Sequence, residues 1–157
     1  MFKHLLLCTH GTKGAQKAEA FIFNEAAKDP ALQVTVLTVL DADWRLMTGD
    51  DWLNSSKTHT TFLDHVEEQV SGEIVEEWQR IKGAYPEATK ATFLQRTGDI
   101  AETITEIAKR LECDLIVIGP YSKNRRFFPA KAEKGLRDRM KNKQLHPLLP
   151  CPLLIAP

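Results

Sequence analysis

The stretch Asp114-Leu-Ile-Val-Ile-Gly119 constrains the fold more than any other part of the chain. It holds four apolar residues in a row, three of them β-branched, and then a glycine. A run this short, apolar without alternation, suits a parallel strand buried on both faces. Gly119 ends it where the chain must turn away from the sheet. A helical pattern precedes the run and a basic helical pattern follows it, which is the signature of an α/β fold. Ligands of open α/β sheets lie outside the carboxyl ends of the strands, where strand order reverses. The residues after Gly119, Pro120-Tyr-Ser-Lys-Asn-Arg-Arg126, therefore bear most directly on function.

The remaining pattern supports the same architecture. Phe2 to Thr9 reads as a first strand centred on Leu5-Leu6-Leu7, and Thr12 as the N-cap of a helix over Lys13–Lys28. That helix is expected to bury Ala18, Phe21, Ile22 and Ala26, and to stop at Asp29-Pro30. Leu32 to Leu40 reads as a valine-rich strand closed by Asp41. Residues 42–59 mix turn formers with Trp44 and Trp52, and read as a long flap. Thr60 or Thr61 is the expected cap of a helix reaching Ala84. Its inner face is Leu63, Val66, Val70, Ile74, Trp78 and Ile81, with the acidic residues outward.

Ala88 to Arg96 reads as a short strand and Gly98-Asp99 as a turn. Asp99 caps a helix whose inner face is Ile100, Ile104, Ile107, Ala108 and Leu111. A further helix is expected over 130–143, and Cys151 to Ala156 as the last strand, with Pro152 at its start. Five strands alternating with helices predict one doubly wound sheet in a single domain, residues 1–157.

Charge balances overall, with 21 basic and 21 acidic residues, but not locally. Residues 123–143 carry nine basic side chains against only Glu133 and Asp138. Most of such a run is a solvated helix face; its beginning, at the expected switch point, is also a candidate anion site. The apolar run at the N-terminus is too short for a signal peptide or a membrane span, so a cytoplasmic location with no membrane partner is expected. Cys8, Cys113 and Cys151 have neither zinc-ligand nor C-x-x-C spacing and read as buried reduced thiols. The histidines have no metal-ligand spacing, so no metal is expected.

Several segments together resemble the universal stress protein family across nearly the whole chain. They are Leu5-Leu-Leu-Cys-Thr-His-Gly-Thr12, Gly98-Asp-Ile-Ala-Glu-Thr-Ile104, Asp114-Leu-Ile-Val-Ile-Gly119, Glu133-Lys-Gly-Leu-Arg137 and Pro150-Cys-Pro-Leu-Leu154. The resemblance implies a five-stranded parallel sheet of order 3-2-1-4-5 with helices on both faces, the adenine nucleotide alpha hydrolase-like fold. It also implies a homodimer joined through the last strand, Pro152, Leu153, Leu154, Ile155 and Ala156. Apolar edge strands need such cover.

Members of that family that hold ATP carry G-x-x-G, nine residues, then G-[ST] after the fourth strand. Here Gly119 is kept, but the second position is Ser122. The final pair falls on Ala132-Glu133, or on Pro129-Ala130 if a short deletion is allowed. The aspartate usual in the first strand is replaced by His10. The expectation is a non-catalytic stress-response protein that does not bind ATP tightly and has no bound cofactor. The candidate anion or nucleotide pocket is His10, Gly11, Thr12, Gly119, Ser122, Lys123, Arg125 and Arg126, with ATP or AMP as the nucleotides to test.

Two alternatives stand beside it. One is a nucleotide or phosphate-metabolite binder that uses the basic residues at 123–126. The other is a hydrolase using His10 and Ser122, oriented by Asp41 or Asp99, although no nucleophile elbow surrounds the serine. Nucleic acid is not expected as a partner, since net charge is zero and no docking module is recognisable.

Overall fold

A computed structural model of the chain describes residues 2–9, 13–41, 56–119 and 146–156. The apolar runs form strands because burial on both faces rewards every side chain in them. These are β1 (His4–Cys8), β2 (Gln33–Asp41), β3 (Thr92–Gly98), β4 (Leu115–Ile118) and β5 (Leu153–Ile155). They form one parallel sheet in the order β3-β2-β1-β4-β5. Three helices are described: α1 (Lys13–Lys28), α2 (Ser56–Ala84) and α3 (Ile100–Arg110).

Strand alternation sorts the core into two layers. Leu5, Leu7, Val34, Val36, Leu115 and Val117 face α1 and α2, where Ala18, Ile22, Phe23 and Ile81 meet them. Leu6, Cys8, Leu37, Val39, Ile116 and Ile118 face α3, through Ile100, Ile104, Ile107 and Ala108. A slip of one residue in any central strand would exchange these sets, so the register is strongly specified.

Both ends of α3 are closed locally. The Asp99 carboxylate accepts the Glu102 N–H at 2.9 Å. At the other end Glu112 takes φ 51°. The Cys113 N–H then donates to the Ala108 carbonyl at 3.0 Å and the Glu112 N–H to that of Lys109 at 3.2 Å. That is a Schellman ending, with buried Cys113 and Ala108 as its apolar contact. Gly98 sits just before this helix, where an added Cβ would lie 2.7 Å from Thr103 Oγ1. The tight passage from β3 into α3 therefore favours glycine.

The amino ends of β1 and β4 are locked by one side chain. The Asp114 carboxylate accepts the N–H groups of Lys3 (2.5 Å) and His4 (2.8 Å), while its own N–H donates to the His4 carbonyl at 2.8 Å. Those backbone donors hold its carboxyl below the usual aspartate value.

Several boundaries depart from the sequence reading. α2 begins at Ser56, so Thr60 and Thr61 lie within it and residues 56–59 belong to a helix, not to the flap. Ala88 is buried in a 3-10 turn, Pro86–Lys90, and β3 starts only at Thr92. Proline at the turn's first position presets a helical φ, and the hydrogen bonds follow that geometry instead of a ladder. On α1, Phe23 is fully buried and stacks on Tyr85 (centroids 4.9 Å apart), while Phe21 and Ala26 are half-buried. Glu77 of α2 faces inward, 4% exposed, against the expectation that acidic positions point to solvent. Ala156 is buried in the core and does not present its side chain at the edge. The expected helix at 130–143 and the flap residues 42–55 lie outside the described residues.

Candidate functional site

Strand order reverses at β1. From it the chain passes through α1 to β2 on one side, and it later returns through α3 to β4 on the other. The crossovers thus diverge, and a crevice is expected outside the carboxyl ends of β1 and β4. Those ends are level, since Cys8 pairs with Ile118. Thr9 is buried, and its N–H donates to the Leu37 carbonyl at 3.0 Å, extending the β1–β2 ladder one residue towards the crevice. The Ile118 carbonyl accepts the Ala156 N–H at 2.9 Å, so the β4–β5 ladder also runs to the edge. Beside these, Asp41 pairs with Gly98 at the ends of β2 and β3.

α1 starts at Lys13, so its N-terminal turn lies at this same edge and brings the positive end of the helix dipole there. Of the eight candidate residues, Gly119 is placed directly at the end of β4, half-buried. His10, Gly11 and Thr12 fall in the connection between β1 and α1, while Ser122, Lys123, Arg125 and Arg126 follow β4; all seven lie outside the described residues. The same holds for Pro129-Ala130 and Ala132-Glu133. Asp99, one proposed orienter of a serine–histidine pair, already serves as the α3 cap.

Chemistry near the crevice is limited in one further respect. Cys8 ends β1 beneath it, yet burial, reinforced by the neighbouring thiols Cys113 and Cys151, pushes its thiol far up. Burial likewise pushes Cys113 up to about 12. Thiols held protonated in this way are poor nucleophiles. His4 lies at the opposite end of the sheet. Its Nδ1–H donates to the Leu111 carbonyl at 3.1 Å, and its Nε2 accepts the Thr35 hydroxyl at 2.8 Å, which ties β1 to β2 and to the end of α3.

Two features escaped the sequence reading. One is a groove of about 260 Å³ at the amino ends of β2 and β3, lined by Ala26, Pro30, Leu32, Val34, Pro86 and Lys90. It lies at the end of the sheet remote from the crevice. The other is an ion cluster between α1 and α2, in which Arg80 contacts Glu19 at 2.8 Å and Glu77 at 2.5 Å. A signal for it exists in α1. Positions 15, 18, 19, 22 and 23 make one buried stripe at helical spacing, and the stripe contains a glutamate.

The fold has counterparts among known proteins. The sequence model of the universal stress protein family matches residues 1–127. No curated protein sequence matches the chain. Among solved structures, the hypothetical protein MJ0577 superposes with a TM-score of 0.71 at 17% identity, over 99% of this chain and 96% of that one. Universal stress protein UspA from Lactobacillus plantarum does so with a TM-score of 0.61 at 19% identity, over 99% and 97%. A universal stress protein solved in complex with cAMP gives 0.54 at 13% identity, over 98% and 96%. These share with the chain the adenine nucleotide alpha hydrolase-like fold, whose sheet order is the one observed. With the family's sequence model covering most of its length and the strand order reversing where that fold requires, the chain belongs to the universal stress protein family.

Proposed function

We propose that this family member is a non-catalytic stress-response protein whose crevice takes a small phosphorylated ligand, such as a nucleoside monophosphate, and does not retain ATP. The observation that carries this reading is the level pairing of Cys8 with Ile118 at the point where strand order reverses. It brings the residues after β1 and those after β4 out of the sheet side by side. A triphosphate needs a long run of close backbone amides, and Ser122 with either Ala132-Glu133 or Pro129-Ala130 lacks the glycines that permit it. A single phosphate needs fewer donors, and Lys123, Arg125 and Arg126 supply charge-assisted ones. The structural neighbour solved with cAMP supports a monophosphate in a fold of this shape.

The test is calorimetric titration of the purified protein with ATP, AMP and cAMP, alongside extraction of any retained nucleotide. Saturable binding of AMP or cAMP, lost in the Arg125→Ala/Arg126→Ala double variant, is expected. Stoichiometric ATP in the extract would overturn the reading, as would turnover of activated esters.

Assembly and location complete the proposal. Among the described residues β5 pairs with β4 alone, and Leu153, Leu154 and Ile155 are half-buried in the single chain. Leu148, 68% exposed, precedes the strand. A second copy pairing edge to edge would cover this surface about a two-fold axis. Leu154→Lys is expected to shift sedimentation towards monomer while circular dichroism stays unchanged; a persistent dimer would move the interface elsewhere. The three thiols are unbridged, which suits a reducing, cytoplasmic setting. No helix among the described residues is long and apolar enough to cross a membrane.

A further inference from the structure

Glu19 is a carboxylate in the middle of an apolar stripe. It lies on α1 between Ala18 and Ile22, wholly removed from solvent, and it meets α2. Arg80 reaches it from α2, with Nη2 donating to Oε1 at 2.9 Å and to Oε2 at 2.8 Å. The Nε of the same guanidinium donates to Glu77 Oε1 at 2.7 Å. One positive charge thus serves two buried carboxylates, while 36% of the Arg80 side chain remains in solvent. Tyr85, stacked on Phe23, completes the surroundings. Arg80 and Glu77 act on Glu19, and Glu19 and Arg80 in turn act on Tyr85.

Removing a carboxylate from water carries a large solvation cost, and one partly hydrated guanidinium divided between two of them offsets only part of it. A proton on Glu19 would remove one buried negative charge and leave the contact between Arg80 and Glu77 in place. We propose that Glu19 is a proton-uptake site of the folded protein, and that the α1–α2 contact is a latch which mild acid tightens. Burial lifts the Glu19 carboxyl above the ordinary glutamate value of 4.5; Arg80 opposes the rise and Glu77 adds to it. A carboxyl raised in this way binds its proton more tightly in the folded chain than in the unfolded one. Its contribution to stability therefore grows as pH falls through the folded value towards 4.5, and its cost is fully present above the folded value. The latch lies six residues, about 9 Å of helix, from the start of α1 at Lys13. It holds the helix whose N-terminal turn lies at the crevice edge.

Two measurements test this. The first is a carbon-13 NMR titration of the glutamate carboxyl groups in the native protein, with Glu19 assigned from the Glu19→Gln variant or by sequential connectivity. Its midpoint is expected above the one measured for the urea-unfolded chain, and Glu77→Gln is expected to lower it. A native midpoint at or below the unfolded one overturns the proposal. The second compares urea unfolding midpoints of the native protein and Glu19→Gln at about pH 7.5 and about pH 5. The native protein is expected to gain on the variant as pH falls. A difference that stays constant, or that moves the other way, shows that Glu19 takes up no proton on folding.

Discussion

The two faces of the sheet are sealed in different ways. On one, α3 lies alone among the described helices, eleven residues capped at both ends, and its buried positions Ile100, Ile104, Ile107 and Ala108 are all apolar. On the other, α1 and α2 lie together, and their shared side holds Glu19, Glu77 and Arg80. Two more polar atoms on that side, Thr38 Oγ1 and the Trp78 indole N–H, are buried with no hydrogen-bond partner among the described residues. Two helices side by side over a sheet bury their facing flanks as well as their undersides. Polar side chains on those flanks, Glu19, Glu77 and Arg80, are enclosed there.

Substitutions on the two faces should therefore differ in kind. Ile104→Ala, on the apolar side, is expected to cost the most, about 3–4 kcal/mol from lost burial and the cavity left behind. Urea unfolding monitored by circular dichroism would measure it, and a cost below about 1 kcal/mol would mean that the α3 face is loosely packed. Arg80→Ala should come next, at about 3 kcal/mol near neutral pH, because Glu19 then stays buried without its cation. That loss should shrink on acidification as Glu19 takes a proton, a pH dependence that Ile104→Ala should lack. Thr38→Val should have the smallest effect, neutral or stabilising by about 1 kcal/mol, since it removes an unpaired hydroxyl and keeps the shape. A clear loss in that variant would show that the hydroxyl has a partner in solution.

The contrast also explains which parts of the molecule the sequence discloses. α3 and β4 are legible because every buried position is apolar and the helix period or strand run is unbroken; Asp99 announces its cap role by its place before that pattern. The α1–α2 side is less legible. Periodicity treats charged residues as outward, so Glu77 is misread and Glu19 passes unnoticed, and Phe23, not Phe21, is the fully buried phenylalanine of α1 because it has Tyr85 to stack on. Tyr85 arrives from a distant part of the chain, and no local pattern encodes it. Ala88 misleads for a related reason, since an apolar residue after Tyr85-Pro86 suits a buried turn as well as a strand. At the crevice, the strand ends and the reversal of order follow from the sheet pattern. The side chains that would bind a ligand sit in connections, where turn chemistry does not repeat and spacing gives no period to read.

One consequence of the Asp114 lock reaches the far end of the sheet. Parallel strands held by hydrogen bonds are stiff along their length, so tying Asp114 to Lys3 and His4 at one end acts as the zero mark of a ruler. Four residues further along, about 13 Å at strand rise, the other end of that ruler sets Ile118 against Cys8. The spacing between the two segments that frame the crevice is therefore chosen at the opposite edge, by a carboxylate no ligand would touch. Only acid below the ordinary aspartate range would protonate Asp114 and remove this mark.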